Sequence, residues 1–223
     1  MESRIILPLD HLEWDRAHEI IRRTGGLVWG YKIRRSVLER GLRVLDEIRR
    51  HGRVMLDFKL YDIPSAMTES LTLHRAAGAD ITTVHCTAGY DPAAHGLTKE
   101  GIAGVTILTS LGEKEFRRYY RGESLPEMVA LMAGEAVGRY AYLVCSAADL
   151  MAIRGLDIQK ICPGIRPGWY RQGDDQRRTA TPAEAIRQGA DLLVIGRPLL
   201  GAADIVAAIE KTNAEIEQAL SSR

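Results

Sequence analysis

Short runs of apolar and β-branched residues recur along the chain, and between them lie stretches in which apolar positions return every three or four residues. The runs suit strands buried on both faces of a sheet, and the longer spacing suits amphipathic helices packed over that sheet. The strand candidates are RIILPLD, GLVWGYKI, RVMLDFKL, DITTVHC, GVTILTS, AYLVCS, KICPGI and DLLVIG. Helical spacing marks WDRAHEIIRR, VLERGLRVLDEIRR and PSAMTESLTLHRAAG, the last opening on Pro64, where a first helical turn tolerates proline, and closing on Gly78. Thr181-Pro182 opens a further helix that ends at Gly189. This alternation predicts α/β architecture: one (β/α)8 (TIM) barrel of parallel strands over residues 1–223, each strand followed by a helix. An open doubly wound sheet fits less well, because the first strand lacks a G-x-G-x-x-G turn.

Composition narrows the function classes. The chain is 46% hydrophobic and 26% charged, the balance of a globular protein with a sizeable core. Thirty Lys plus Arg against 29 Asp plus Glu leave a net charge of +1, which points away from nucleic-acid polymers and membrane surfaces and leaves room for a small anionic ligand. Cys86, Cys145 and Cys162 are widely spaced in or beside apolar runs and read as buried residues in a reducing compartment. The opening MESRIILPLDHLEW lacks the pattern of a secretion signal, and no apolar run approaches the ~20 residues of a membrane span, so the expected location is cytoplasmic.

In a barrel, polar residues at the carboxyl ends of strands acquire meaning, since catalytic groups sit there and in the following loops. Asp10 closes the first strand candidate, Lys32 the second, Asp57 and Lys59 lie in the third and Asp62 follows it. His85 ends the fourth, Thr109 and Ser110 the fifth, Ser146 the sixth, Arg166 the seventh and Arg197 the eighth. In VMLDFKLYDIP, strand periodicity puts Asp57 and Lys59 on one face while Phe58 and Leu60 face the helices. A charge buried alone is costly, so alternating signs must compensate one another, and Lys32 extends the alternation from the neighbouring strand. A structural ion-pair network would account for Asp57 and Lys59 alone. With Asp62 added, there is more charge at the catalytic end than mutual neutralisation needs, which points to a reaction site.

A second cluster lies near the C-terminus, in ICPGIRPG, GDDQRR and LLVIGRPLL. Barrels often hold phosphate with the loops after strands 7 and 8, using backbone N–H groups, a helix start and an arginine fork. Gly196-Arg197 fits that description, with Arg166 and Gln176 completing the cradle and residues 167–180 as a lid.

These elements resemble the orotidine 5′-phosphate decarboxylase family over nearly the whole chain: Asp10 in LPLD, Lys32 in YKI, then DFKLYDIP, GVTILTSL, CPGIRP, DQRR, TPAEAIRQGAD and VIGRP, in the family's order. The Asp-x-Lys-x-x-Asp core is shared with 3-hexulose-6-phosphate synthase; the Ile-Pro that follows and the Pro-Gly-Ile-Arg and Asp-Gln-Arg elements favour the decarboxylase. The resemblance implies conversion of orotidine 5′-phosphate to uridine 5′-phosphate without metal or organic cofactor. It implies a tetrad of Lys32, Asp57, Lys59 and Asp62, with Lys59 as proton donor and Asp62 reaching the other subunit's site in a homodimer. It further implies that Asp10 and Lys32 hold the ribose hydroxyls, Thr109 meets the pyrimidine, and Arg166, Gln176, Gly196 and Arg197 hold the 5′-phosphate. Ser65-Ala66 departs from the Asn-Thr often found after the Ile-Pro.

The remaining candidates have blander readings. His11, His18, His51, His74 and His95 read as surface groups, His85 as either a site residue or a satisfied histidine beneath the pocket, and Ser146 as a minor pocket contact. Trp14, Trp29 and Trp169 read as packing or interface residues, with Trp169 also a candidate lid contact. Two other functions fit the same features: a metal-dependent lyase like 3-hexulose-6-phosphate synthase, and a barrel that binds nucleotides without turnover.

Overall fold

The computed structural model describes residues 2–121, 124–170 and 179–222. In chain order the elements are β1 (Ile5–Pro8), α1 (Trp14–Thr24), β2 (Gly30–Ile33), α2 (Arg35–Arg40), α3 (Val44–Ile48), β3 (Arg53–Leu60), α4 (Pro64–Ala76) and β4 (Ile81–His85). Then follow β5 (Ile102–Val105), α5 (Glu113–Phe116), α6 (Leu125–Ala136), β6 (Tyr142–Val144), β7 (Gln159–Cys162), α7 (Pro182–Gln188), β8 (Leu192–Val194), α8 (Arg197–Leu200) and α9 (Ile205–Ser221). The strands pair in sequence order, all parallel, and β8 returns to β1 through Ile5↔Leu193 and Ile6↔Val194, closing the barrel.

Strand periodicity divides the apolar residues between two cores. Ile5, Leu7, Val54 and Leu56 face outward and pack with Ile20, Ile21, Leu45, Ile48 and Ile209 of the helices. Ile6, Met55, Ile81, Ala103, Ile161, Leu192 and Val194 face inward and fill the barrel with Trp29, Tyr142 and Val144. Each large side chain fully buried this way contributes roughly 1.5–3 kcal/mol. Two residues beyond Met55 on β3 comes Asp57, and two beyond Ile81 on β4 comes Thr83, so polar groups sit one layer above the apolar plug.

Three expectations about elements need correction. The stretch from Val37 to Arg50 is two helices, because Gly41 at φ 74° takes the chain out of the helical region between α2 and α3. Not every strand is followed by an α-helix: 3-10 turns at Cys86–Ala88 and Ala93–His95 follow β4, and one at Ala147–Asp149 follows β6. The fifth strand begins at Ile102 rather than Gly104, so Thr109 and Ser110 lie in the turn beyond it and not at its end. Gly104 is inside the strand because Tyr140 packs against it; a Cβ there would sit 2.5 Å from Tyr140 Cδ2.

Candidate active site

The site begins with the pairing of β1, β2 and β3. Pro8 lies opposite Lys32, Lys32 lies opposite Met55, and Leu9 N–H donates to Lys32 O at 2.9 Å, which carries the following Asp10 over the Lys32 side chain. Lys32 Nζ donates to Asp10 Oδ2 and, at 2.8 Å, to Asp57 Oδ2. Lys59 Nζ donates to the other Asp57 oxygen, Oδ1, at 2.8 Å. Asp10, Lys32, Asp57 and Lys59 therefore form one continuous chain of alternating charge. It opens outward: the Asp10 and Lys32 side chains are 9% and 13% exposed, and that of Lys59 is 32% exposed.

The electrostatics follow from that alternation. Burial pushes the Asp57 carboxyl up, but the charges of Lys32 and Lys59 and their hydrogen bonds outweigh it and hold Asp57 well below the usual carboxylate range. Burial disfavours the charged Lys32 ammonium, and Asp57 and Asp10 more than reverse this, so its pKa is raised. Lys32 and Asp57 are thus each held in the charged form by the other. One atom in it is unsatisfied: Asp10 Oδ1 is buried and has no hydrogen-bond partner among the described residues. A buried carboxylate oxygen without a donor is costly, and a hydroxyl-bearing ligand would relieve it.

Lys59 has an unusual backbone. Its φ is +50°, in the left-handed region, the one such non-glycine residue among those described, at a cost of about 1–2 kcal/mol. It occurs where the β3–β4 register shifts between Leu56 and Leu60. Thr83 sits beside it: its Oγ1 accepts from Lys59 N–H at 2.8 Å and lies 3.0 Å from Asp57 Oδ1, to which it donates. The sequence reading missed Thr83, since a threonine in a β-branched strand run carries no polar signal of its own.

A cavity of about 470 Å³ is lined by Asp10 and Lys32 together with Gly164, Arg166, Gly196 and Arg197. The first two charged residues and the arginine cluster, far apart in sequence, thus share one space. Gly196 precedes α8 and Arg197 opens it. Arg166 is half-buried, donates from Nη1 to Ile165 O at 2.9 Å and lies over the Tyr170 ring at 5.9 Å. A bridge joins Ile165 to Ala180, and Arg166 N–H donates to Ala180 O at 2.8 Å, which brings Ala180 beside the cavity-lining Arg166. Gln176 lies outside the described residues. His11 and Tyr170 also line the cavity, so the surface reading of His11 was incomplete.

Asp62 does not join the charged chain. It is exposed, its Oδ1 accepts from Ile63 N–H at 2.7 Å, and its neighbours Tyr61 and Ile63 are each 65% exposed. Thr109 is half-buried in the turn after β5 and is not among the residues lining the cavity. His85 is half-buried with its ring edge-on to Tyr61 at 5.7 Å; burial and then the charge of Lys59 push its pKa down.

The other expected residues find structural partners. Ser146 Oγ accepts from Ala148 N–H and caps the turn after β6. Trp169 packs on the outer core with Lys211 over its ring at 5.8 Å, which places it against α9. Three histidines read as surface groups stack on aromatic rings: His18 on Trp14, His74 on Phe58 and His95 on Tyr90. All three cysteines are free; Cys145 and Cys162 are buried, Cys86 is half-buried, and burial pushes its thiol up to about 12. Among the described residues no group of three or more His, Cys, Asp or Glu side chains is placed to hold a metal ion. No helix among them is long and apolar enough to cross a membrane.

Comparison with known proteins shows the chain's relatives. A protein of Desulfosudis oleivorans named orotidine 5′-phosphate decarboxylase is 34% identical over 97% of this chain and 94% of its own length. One of the same name from Rhodopseudomonas palustris is 36% identical over 97% of this chain and 96% of its own length. Among solved structures, orotidine 5′-phosphate decarboxylase from Lactobacillus acidophilus superposes with a TM-score of 0.77 at 24% identity, over 96% of this chain and 99% of the other, a likeness of fold. The model of the orotidine 5′-phosphate decarboxylase / HUMPS family matches residues 3–212, and the chain belongs to that family.

Proposed function

We propose that the protein decarboxylates orotidine 5′-phosphate to uridine 5′-phosphate in pyrimidine synthesis, with no metal or organic cofactor. The observation that carries this reading is the single cavity joining the Asp10–Lys32 end of the charged chain to Arg166, Gly196 and Arg197. Near-full-length relatives of that name support it.

Loss of CO₂ from C6 of the uracil ring leaves a carbanion with no adjacent carbonyl to delocalise it as an ordinary enolate. The site must therefore supply positive charge at that carbon. Lys59 is suited to this: an ammonium already fixed on Asp57 stabilises the developing charge without reorganising, and then delivers its proton to C6. Asp10 Oδ1 accepts from a ribose hydroxyl, which gives the orphaned oxygen a partner, and Lys32 supports the same sugar. Arg166, Gln176, Gly196 and Arg197 hold the 5′-phosphate, and binding energy from that remote group is used to assemble the site. Thr109 contacts the pyrimidine.

The exposed Tyr61–Ile63 segment supports a homodimer in which Asp62 is supplied to the partner's site: two large apolar side chains flank a carboxylate that the chain's own Lys59 does not use. We read residues 1–223 as one catalytic domain, and the free, largely buried cysteines suit a reducing cytoplasm. The test is to follow loss of orotate absorbance with purified protein in the presence of a chelator. Undiminished conversion supports the decarboxylase. Activity on a sugar phosphate that chelation abolishes would favour the metal-dependent lyase instead.

A further inference from the structure

Asp57, Phe58 and Lys59 of β3 together lie opposite the single residue Thr83 of β4, because the register runs Leu56↔Thr82 and resumes at Leu60↔Val84. Such a bulge takes backbone groups out of the ladder and re-aims the side chains it carries. The Lys59 N–H has no ladder carbonyl here; its acceptor is the Thr83 hydroxyl at 2.8 Å. That same hydroxyl lies 3.0 Å from Asp57 Oδ1, the oxygen that receives the Lys59 ammonium. Thr83 is fully buried, and its bond to Asp57 is buried with it, while the bond from the Lys59 N–H is part-buried.

We infer that Thr83 is a positioning residue for the decarboxylation, holding the Lys59 backbone and the Asp57 carboxylate with one hydroxyl so that the ammonium keeps its aim. The geometry leaves the hydroxyl no substitute. Without it the Lys59 N–H would lose its acceptor, and with it a bond that offsets the left-handed strain at that residue. The strand would relax toward regular pairing, in which side-chain direction changes with every residue of shift. Asp57 would also lose a donor that fixes which of its oxygens faces Lys59. Valine matches threonine in shape and lacks the hydroxyl, whereas serine keeps it.

This inference rests on the decarboxylase reading, and the experiment separates the two. Thr83→Val is expected to lower kcat roughly 10- to 100-fold, the equivalent of losing the partner of a partly buried donor and one donor to a carboxylate, with affinity for uridine 5′-phosphate changed by less than about threefold. Thr83→Ser is expected to recover most of the turnover. A Thr83→Val enzyme with wild-type kcat, or serine and valine variants equally impaired, would overturn the inference. If valine prevents folding, Thr83→Ala against Thr83→Ser gives the same comparison. Crystal structures of the wild type and the valine variant supply a readout that does not depend on activity: Lys59 is expected to leave the left-handed region when the hydroxyl is gone. Retention of that conformation in the variant sinks the role of Thr83, while a wild-type protein inactive on orotidine 5′-phosphate sinks only the functional reading.

Discussion

Lys59 Nζ lies 2.8 Å from Asp57 Oδ1, a contact made by two residues of one strand across a left-handed turn at Lys59 itself. In a regular strand, residues two apart share a face with no backbone strain. Here the pair is made within a bulge, which points to aim rather than stability as what the arrangement serves.

Asp57 gives the fold an acid limit. Its pKa is depressed in the folded chain, so its contribution to stability is complete above the unfolded value, ~3.9, and is lost as pH falls through the folded one. Urea denaturation of the wild type is expected to show a midpoint that falls steeply below about pH 4. In Asp57→Asn the fall over the same range is expected to be shallower, whatever the variant's stability at neutral pH.

Asp10 should discriminate sugars. Its unpaired Oδ1 is the acceptor assigned to a ribose hydroxyl, and a hydrogen bond to a charged group is worth about 1.5–3 kcal/mol. Calorimetric titration is expected to show uridine 5′-phosphate binding about 10-fold or more tighter than at least one of its 2′- and 3′-deoxy analogues. Asp10→Ala is expected to bring that ratio close to one. A ratio unchanged by the substitution would remove Asp10 from the sugar site.

The arginine beside Gly196 should recognise phosphate alone. Arg197→Ala is expected to weaken uridine 5′-phosphate binding roughly 10- to 100-fold, the loss of a charge-assisted contact, and to leave the affinity for uridine unchanged. Equal weakening for both ligands would mean that the residue shapes the pocket without contacting the phosphate.

Much of this site was legible in the sequence because its charges interrupt apolar runs. β3 was read with its observed bounds, and Asp10, Lys32, Asp57 and Lys59 come together as periodicity and strand order require. What was not legible arises from packing between distant segments. Gly104 read as the start of a strand, yet it lies inside one because Tyr140, from beyond α6, needs the space of a missing side chain. Thr83 looked like any β-branched strand residue; its role depends on a register shift that exists only once β3 and β4 are paired. The stacking of His18 on Trp14, by contrast, had a signal in the four-residue spacing within α1.

Asp62 can be located by mixing inactive proteins. Lys59→Ala and Asp62→Ala proteins, each expected to be inactive alone, are co-denatured and refolded together. If Asp62 serves the partner's site, hybrid dimers contain one intact site, and random re-pairing of a two-fold dimer is expected to restore roughly a quarter of wild-type activity. If Asp62 turned inward to its own Lys59, no hybrid would contain an intact site and no activity would return.

The most direct measurement is single-turnover loss of orotate absorbance by Lys59→Ala at saturating substrate, with uridine 5′-phosphate affinity measured on the same preparation. A fall in turnover of ~10³-fold or more with product affinity largely kept is expected of a residue that stabilises charge at C6 and protonates it. Turnover at the wild-type rate without the ammonium would contradict that role, whatever family the chain belongs to.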